Sequence, residues 1–325
     1  MVQQMIIRST LAIVAVSAIL SYSAPVFAET LAHPPEIAFS AGQLYPETAS
    51  WSEKEKAFFV SSVRHGTVGK VTLDGKYTPF ITDDNLVSTV GLLADDAHNT
   101  LWVTNSDPGA GDRTNAATQG KLAGAAAYDE TTGVRRAYYD LSSLSPGAHF
   151  ANDISIDDDG NVYVTDSFSP TVFRIGADGK TSIFAQNALF GDSSGFNLNG
   201  IAWHNGGFLL VGRYNTGELF RVNVADPTKV DRVELSEVLK GADGFHLIDS
   251  QHLIVAQNLG VDRIVELVST DGWKSAKVVR QLKSVLSMPS SATQVGQDIY
   301  VLDSRIDTLF DPKAVKVGDF LLQKF

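Results

Sequence analysis

Along most of the chain, apolar positions come in short β-branched or aromatic runs broken by Asp, Gly and Asn, not at the three- and four-residue steps of an amphipathic helix. That punctuation predicts short strands joined by tight turns. The clearest stretch runs from Asn152 to Asp166 and reads as a strand, an Asp/Gly turn and a second strand. A third strand is expected over 171–175. A turn at Ala177-Asp178-Gly179-Lys180 leads into a fourth over 181–185. The unit is a four-stranded antiparallel meander.

Its second strand recurs at 57–60, 101–104, 208–212, 253–256 and 299–302, and its third at 68–71, 219–222 and 263–267. The ends of the six second strands fall 44, 61, 47, 44 and 46 residues apart. Four-stranded units at this period are the blades of a β-propeller, each burying its faces only against its neighbours. The expected fold is therefore all-β: a six-bladed propeller of four-stranded blades around a central channel. The long step falls at Ser106 to Ala127, a stretch rich in Gly, Ala, Asp and Asn, read as a surface loop or lid on blade 2.

The N-terminal stretch breaks the pattern. Arg8 precedes an apolar run from Leu11 to Leu20, followed by Pro25 and the small-residue end Val26-Phe27-Ala28. This predicts a cleaved secretory signal over 1–28 and an exported, periplasmic or secreted protein whose residues 29–325 form one propeller domain. No second apolar run approaches the roughly 20 residues of a spanning helix, so no membrane span is expected. With 37 Asp plus Glu against 26 Lys plus Arg, the net charge is −11. That argues against a nucleic-acid partner, which requires a basic face. The absence of cysteine excludes disulfides, thiolate metal sites, a thiol nucleophile and a lipoprotein anchor.

Chemistry enters through the register. The second strands end at Ser61, Asn105, Asp166, Arg213, Gln257 and Asp303; fourteen positions back in every repeat stand Glu47, Gly91, Asn152, Asn199, Asp243 and Pro289. These positions open the innermost strands, so their side chains are expected at one end of the channel. Glu47, Asn152, Asn199 and Asp243 offer two carboxylates and two amide carbonyls, a hard-cation set that suits calcium over zinc or copper. The competing reading makes them turn residues between blades, where Asx chemistry is common.

In sequence, Tyr45-Pro46-Glu47-Thr48-Ala49-Ser50-Trp51, Phe150-Ala151-Asn152-Asp153, Leu198-Asn199-Gly200-Ile201-Ala202-Trp203 and Ala242-Asp243-Gly244 resemble the regucalcin/gluconolactonase propellers. Asn152-Asp153-Ile154 is closer to their paraoxonase and strictosidine-synthase-like relatives. The resemblance implies one divalent cation, most often calcium, held by Glu47, Asn152, Asn199 and Asp243. It also implies hydrolysis of a small-molecule lactone or related ester, with Asp243 as general base or nucleophile and Asn199 beside it. Two departures fall on the substrate side. Sugar-lactone members carry an arginine where this chain has Phe150, and their Gly-Glu-Gly-Pro stretch is absent around Glu47.

Because the second strand returns to the same end of the channel, Asn105, Asp166, Arg213 and Asp303 are expected at the rim as substrate-binding residues, with His149 able to reach the mouth. Arg213 could equally pair with Asp166 or Asp303. Asp157-Asp158-Asp159-Gly160 reads as a hairpin turn, since its alternation fails as a calcium loop at Ser155. No Gly-x-Ser-x-Gly elbow is present, which disfavours a serine hydrolase. Two classes stay open: a calcium-dependent hydrolase of lactones or esters, and a non-enzymatic exported propeller that binds a ligand or protein around a structural ion.

Overall fold

Alternating side chains of a strand face opposite ways, so a strand apolar on both faces must be covered on both. The second strands show this. In the computed structural model, which describes Met1, residues 33–191 and residues 195–325, Ala57–Val60 and Val162–Asp166 are buried throughout. The expected signal segment, with the cut after Ala28, lies outside the described residues.

The described residues form six antiparallel blades, each a meander of four strands. Their innermost strands are Ala49–Ser52, Ser88–Asp95, Ala151–Ile156, Leu198–His204, Ala242–Leu247 and Pro289–Val295. A short strand, Glu234–Leu235, joins blade 5 in parallel beside Ser275–Lys283. Blade 6 is completed from the other end of the chain: Glu36–Ser40 pairs antiparallel with Asp319–Lys324, closing the ring. Closure leaves no open edge between first and last blades. No helix among the described residues is long and apolar enough to cross a membrane.

The apolar core is divided into six clusters, one per blade interface. Phe58 packs between blades 6 and 1, whereas its neighbour Phe59 packs between blades 1 and 2. Val255 and Ile254 divide in the same way between blade 5's two interfaces. Each second strand thus serves two interfaces at once.

The expected strands match closely, as with Thr171–Ile175 and Ala57–Val60. The long loop of blade 2 is shorter than expected, because Ala123–Asp129 is that blade's third strand. Its alanines are buried on both faces, which erases the alternation that would have marked it. The rest of the insertion is pinned to blade 1. Asp112 N–H donates to the Arg64 carbonyl at 2.7 Å, and its carboxylate meets Arg64 and His65. Asp107, fully buried, accepts from Thr114 and Thr118 hydroxyls at 2.7 and 2.6 Å. The Asp157 stretch is a hairpin turn, with Asp157 Oδ1 accepting from the N–H of Asp159 and Asn161 and Gly160 at φ +80°.

Candidate functional site

The site begins with a repeated irregularity. In blades 2 to 6 the pairing of the innermost strand with the second shifts register at one place: Thr89/Leu92, Ala151/Ile154, Leu198/Ile201, Ala242/Phe245 and Pro289/Ser291. A bulge twists the strand and re-aims a side chain. Asn152, Asn199 and Asp243 sit inside these bulges. Glycine follows two of them because the next blade lies against it. A Cβ on Gly200 would meet the Asp243 carbonyl at 2.3 Å, and one on Gly244 the Ser290 carbonyl at 2.4 Å. In blade 2 the first bulge position is Val90, which lines the cavity without offering an oxygen, and Gly91 follows it as Gly200 and Gly244 do: a Cβ there would lie 2.3 Å from the Asn152 carbonyl.

Neighbouring blades hold the ring by its backbone. Thr104 donates to the Asn152 carbonyl at 2.8 Å, Thr165 to that of Asn199 at 2.7 Å, and Ser290 to that of Glu47 at 2.6 Å. The side chains are then oriented one by one. Asn152 Nδ2 donates to Ser167 Oγ at 2.8 Å, which turns Oδ1 the other way. Asn258 Nδ2 donates to Asp243 Oδ2, and Thr48 donates to Glu47 Oε2 at 2.7 Å. Oδ1 of Asn152, of Asn199 and of Asp243 are all buried without any hydrogen-bond donor.

Glu47, Asn152, Asn199 and Asp243 line one cavity of about 300 Å³. Buried acceptors normally find donors, so three left bare in one cavity need an electropositive partner. The electrostatics agree. Burial pushes Glu47 well above the usual carboxylate range, and the charges of Asp243 and Asp153 add to it. Burial also raises Asp243 to about 7, with Asp153 adding to the rise against the lowering amides of Asn258 and Asn199. Asp153, pushed up by burial to about 7, is steadied by backbone N–H groups of Ile154, Ile201 and Phe245 from three blades. Among the described residues no three His, Asp or Glu side chains gather as a metal cluster. Here two of the four oxygens are amide carbonyls, as hard cations accept. The donor set fits a divalent cation.

Above the oxygens the cavity wall is apolar. Phe150, Phe196 and Tyr214 form one side, and Val90, Met288 and Phe310 lie among the others. Phe310 ends a five-residue helix, Ile306–Phe310, inserted between the second strand of blade 6 and Asp319–Lys324. Two residues at this mouth carry left-handed backbone, Met288 at φ 58° and Arg305 at φ 54°. Such strain tends to gather where surrounding structure imposes it.

The expected rim residues are placed differently. Asn105 is fully buried, accepting from Val87 N–H at 2.8 Å and donating to the Asn85 carbonyl at 2.9 Å. Asp166, also fully buried, accepts from Phe150 and Phe168 N–H and meets His149 Nδ1 at 2.6 Å. The other ring nitrogen of His149 meets the Ser145 carbonyl at 2.8 Å. Arg213 Nε donates to Asn215 Oδ1 at 3.1 Å and its guanidinium lies 3.7 Å from Glu218; it pairs with neither Asp166 nor Asp303. Asp303 accepts from Ser284 and from Leu286 N–H. None of the five lines the cavity. The reason is strand alternation: when the ring residue faces the axis, the residue fourteen later faces into the blade.

The next position turns inward. Ser62, Ser106, Ser167, Tyr214, Asn258 and Ser304 directly follow the six second-strand ends, and Tyr214 and Ser304 line the cavity. Ser167 and Asn258 orient two of the ring oxygens. The uniform small-polar character of this column, Tyr214 apart, was the signal that could have found it.

Fold and site together define a six-bladed propeller with an oxygen-lined cavity at one end of its axis. No protein-family profile matches the chain, and no curated protein matches it in sequence. Its fold is similar to that of the allergen Mala s 1 of Malassezia sympodialis, with 17% identity and a TM-score of 0.72 over 90% of this chain and 96% of the other. A structure assigned to the gluconolactonases aligns at 15% identity and a TM-score of 0.61, over 89% and 92%. The calcium-binding protein regucalcin of Agrobacterium tumefaciens aligns at 15% and 0.59, over 86% and 90%.

Proposed function

We propose that the chain is an exported, divalent-metal-dependent hydrolase of lactones or related esters, with calcium as the preferred ion. The observation that carries this reading is the set of three buried, donorless oxygens beside Glu47 in the floor of one cavity. Glu47, Asn152, Asn199 and Asp243 would hold the cation. When bound, such a cation supplies Lewis-acid polarisation of an ester carbonyl. The rest is the work of the chain. Asn258 keeps Asp243 Oδ2 engaged, so Oδ1 is the atom that takes the proton from an attacking water. Asn199 lines the same cavity as Asp243, and its amide favours the ionised carboxylate. The apolar walls exclude bulk water and strengthen every charge interaction within. The similarity to structures described as gluconolactonase and as calcium-binding regucalcin supports the same reading.

The test uses purified residues 29–325. The expected result is about one divalent ion per chain and opening of γ- or δ-lactones, abolished by chelator and by Asp243→Asn. If the ion is present yet no lactone, aryl ester or phosphotriester turns over, the protein is a binding propeller with a structural ion.

A further inference from the structure

We propose that the cavity selects an uncharged ester or lactone of about ten heavy atoms whose body is apolar, and rejects polyhydroxylated and anionic substrates. This rests on the hydrolase reading for the reacting group but not for the body of the ligand. Three observations carry it.

The first is the aromatic wall. Phe150 is 5% exposed and is locked by Phe168 at 5.3 Å and by Phe196, edge-on, at 5.4 Å. Phe196 also meets Phe168 at 5.1 Å and Tyr214 at 6.4 Å, and is itself 37% exposed at the lip. Rings braced against each other present fixed apolar faces, which bind apolar groups with little ordering cost.

The second is charge. Among the described residues no Lys, Arg or His lines the cavity, and the one charged lining residue outside the oxygen ring is Asp307. Arg213, the cation expected at the rim, is turned to Asn215 and Glu218. A carboxylate or phosphate on the ligand body, away from the oxygen ring, would meet no cationic side chain and would lie beside an acid.

The third is the lack of spare hydrogen-bond donors on the wall. The Tyr214 hydroxyl is donated to Asn258 at 2.7 Å and that of Ser304 to the Met288 carbonyl at 2.7 Å. The oxygens of several sugar hydroxyls buried against this wall would find no donor, and with two hydroxyl oxygens to donate to, the rest would go wholly unpaired, a loss of about five- to a hundredfold in affinity for each. The volume of about 300 Å³ sets the size. At about 30 Å³ per water-sized group, it holds about ten heavy atoms.

The experiment separates ligand class from catalysis by using ligands that cannot be opened. Binding of 5-alkyl-2-pyrrolidinones, from methyl to decyl, is measured by calorimetry on the calcium-loaded chain. Turnover of the matching γ-lactones and of glucono-δ-lactone is followed in parallel. The expected result is an affinity gain of about three- to fourfold per methylene, ending near butyl, with glucono-δ-lactone at least a hundredfold poorer than γ-octalactone. Phe150→Arg should remove most of the chain-length gain. Phe150→Leu, which keeps the apolar volume, should stay within a few-fold and guard against a folding defect; Phe196→Ala, at the lip, should shorten the gain by one or two methylenes. Lactam affinity independent of chain length, or better binding of the polyol or of an anionic analogue, overturns the proposal. If lactams show the slope but no lactone opens, the ligand class stands and the hydrolase reading fails. If lactones open without any slope, the reverse holds.

Discussion

Asn258 touches three groups at once. Its Nδ2 donates to Asp243 Oδ2 and, at 3.0 Å, to the Pro289 carbonyl, while its Oδ1 accepts from the Tyr214 hydroxyl at 2.7 Å. It is only 5% exposed. Replacing it with alanine therefore strands a carboxylate oxygen, a carbonyl and a phenol in a closed space. Two neutral hydrogen bonds at about 1 kcal/mol each and one to a charged group at about 1.5–3 kcal/mol give a loss near 4 kcal/mol, less whatever an entering water restores. The same change frees Asp243 to rotate away from the other ring oxygens. Removing a partner that orients a ligand costs about 10–100-fold in metal affinity. Urea unfolding in chelator measures the first effect, and calorimetric titration with calcium the second. Asn258→Asp sharpens the comparison: it keeps an acceptor for Tyr214 but sets another carboxylate against Asp243, so in chelator it should be less stable than Asn258→Ala. Calcium bound by Asn258→Ala with wild-type affinity would refute the idea that this amide orients Asp243 for the cation.

Three other outcomes follow from particular contacts. Arg213→Ala should leave lactone turnover within about twofold of wild type, because Arg213 is tied to Asn215 and Glu218 outside the cavity; a tenfold loss of kcat/KM would return it to the substrate. Glu130 is fully buried, and burial with the neighbouring Asp96 pushes it up to about 7. Its folded form holds a proton that the unfolded chain releases near 4.5, so this residue's contribution to stability falls as pH rises from about 4.5 to 7 and is flat above. Glu130→Gln should remove that slope and stabilise the protein at pH 8 by up to about 3 kcal/mol, read as denaturant midpoints at pH 5 and pH 8; equal midpoints for both proteins at both pH values would contradict it. Gly244→Ala must move the Ser290 backbone, so it should cost about 1–3 kcal/mol in urea unfolding and weaken calcium binding, whereas Gly207→Ala, with open space around it, should leave calcium binding unchanged.

Much of the ring was legible because the propeller repeats its register. Glu47, Asn152, Asn199 and Asp243 were found by one constant step of fourteen, and the structure brings all four to one cavity. The same step misled at its other end, since it fixed which residues finish the second strands but not which way they face. Asp166 and Asp303 carry the charges suited to a rim, yet both are spent on loop N–H groups. The column one residue later, with Ser167 and Asn258, carries no charge to mark it in sequence, and only hydrogen bonds to the ring give it a purpose. Ala123–Asp129 was hidden by its small, wholly buried side chains.

What the chain determined by itself was local and periodic: strand type, blade count and the spacing of oxygen-bearing residues. Hydrophobic alternation and turn chemistry act within a few residues and repeat with the blade. Tertiary structure decided everything that depends on distant groups meeting. Glu36–Ser40 closes the ring only because Asp319–Lys324 arrives beside it. The bulges turn Asn152, Asn199 and Asp243 inward because neighbouring blades press on their backbones. Phe150 becomes a cavity wall only once Phe168 and Phe196 brace it. Such contacts are set by packing between blades, which no single repeat contains.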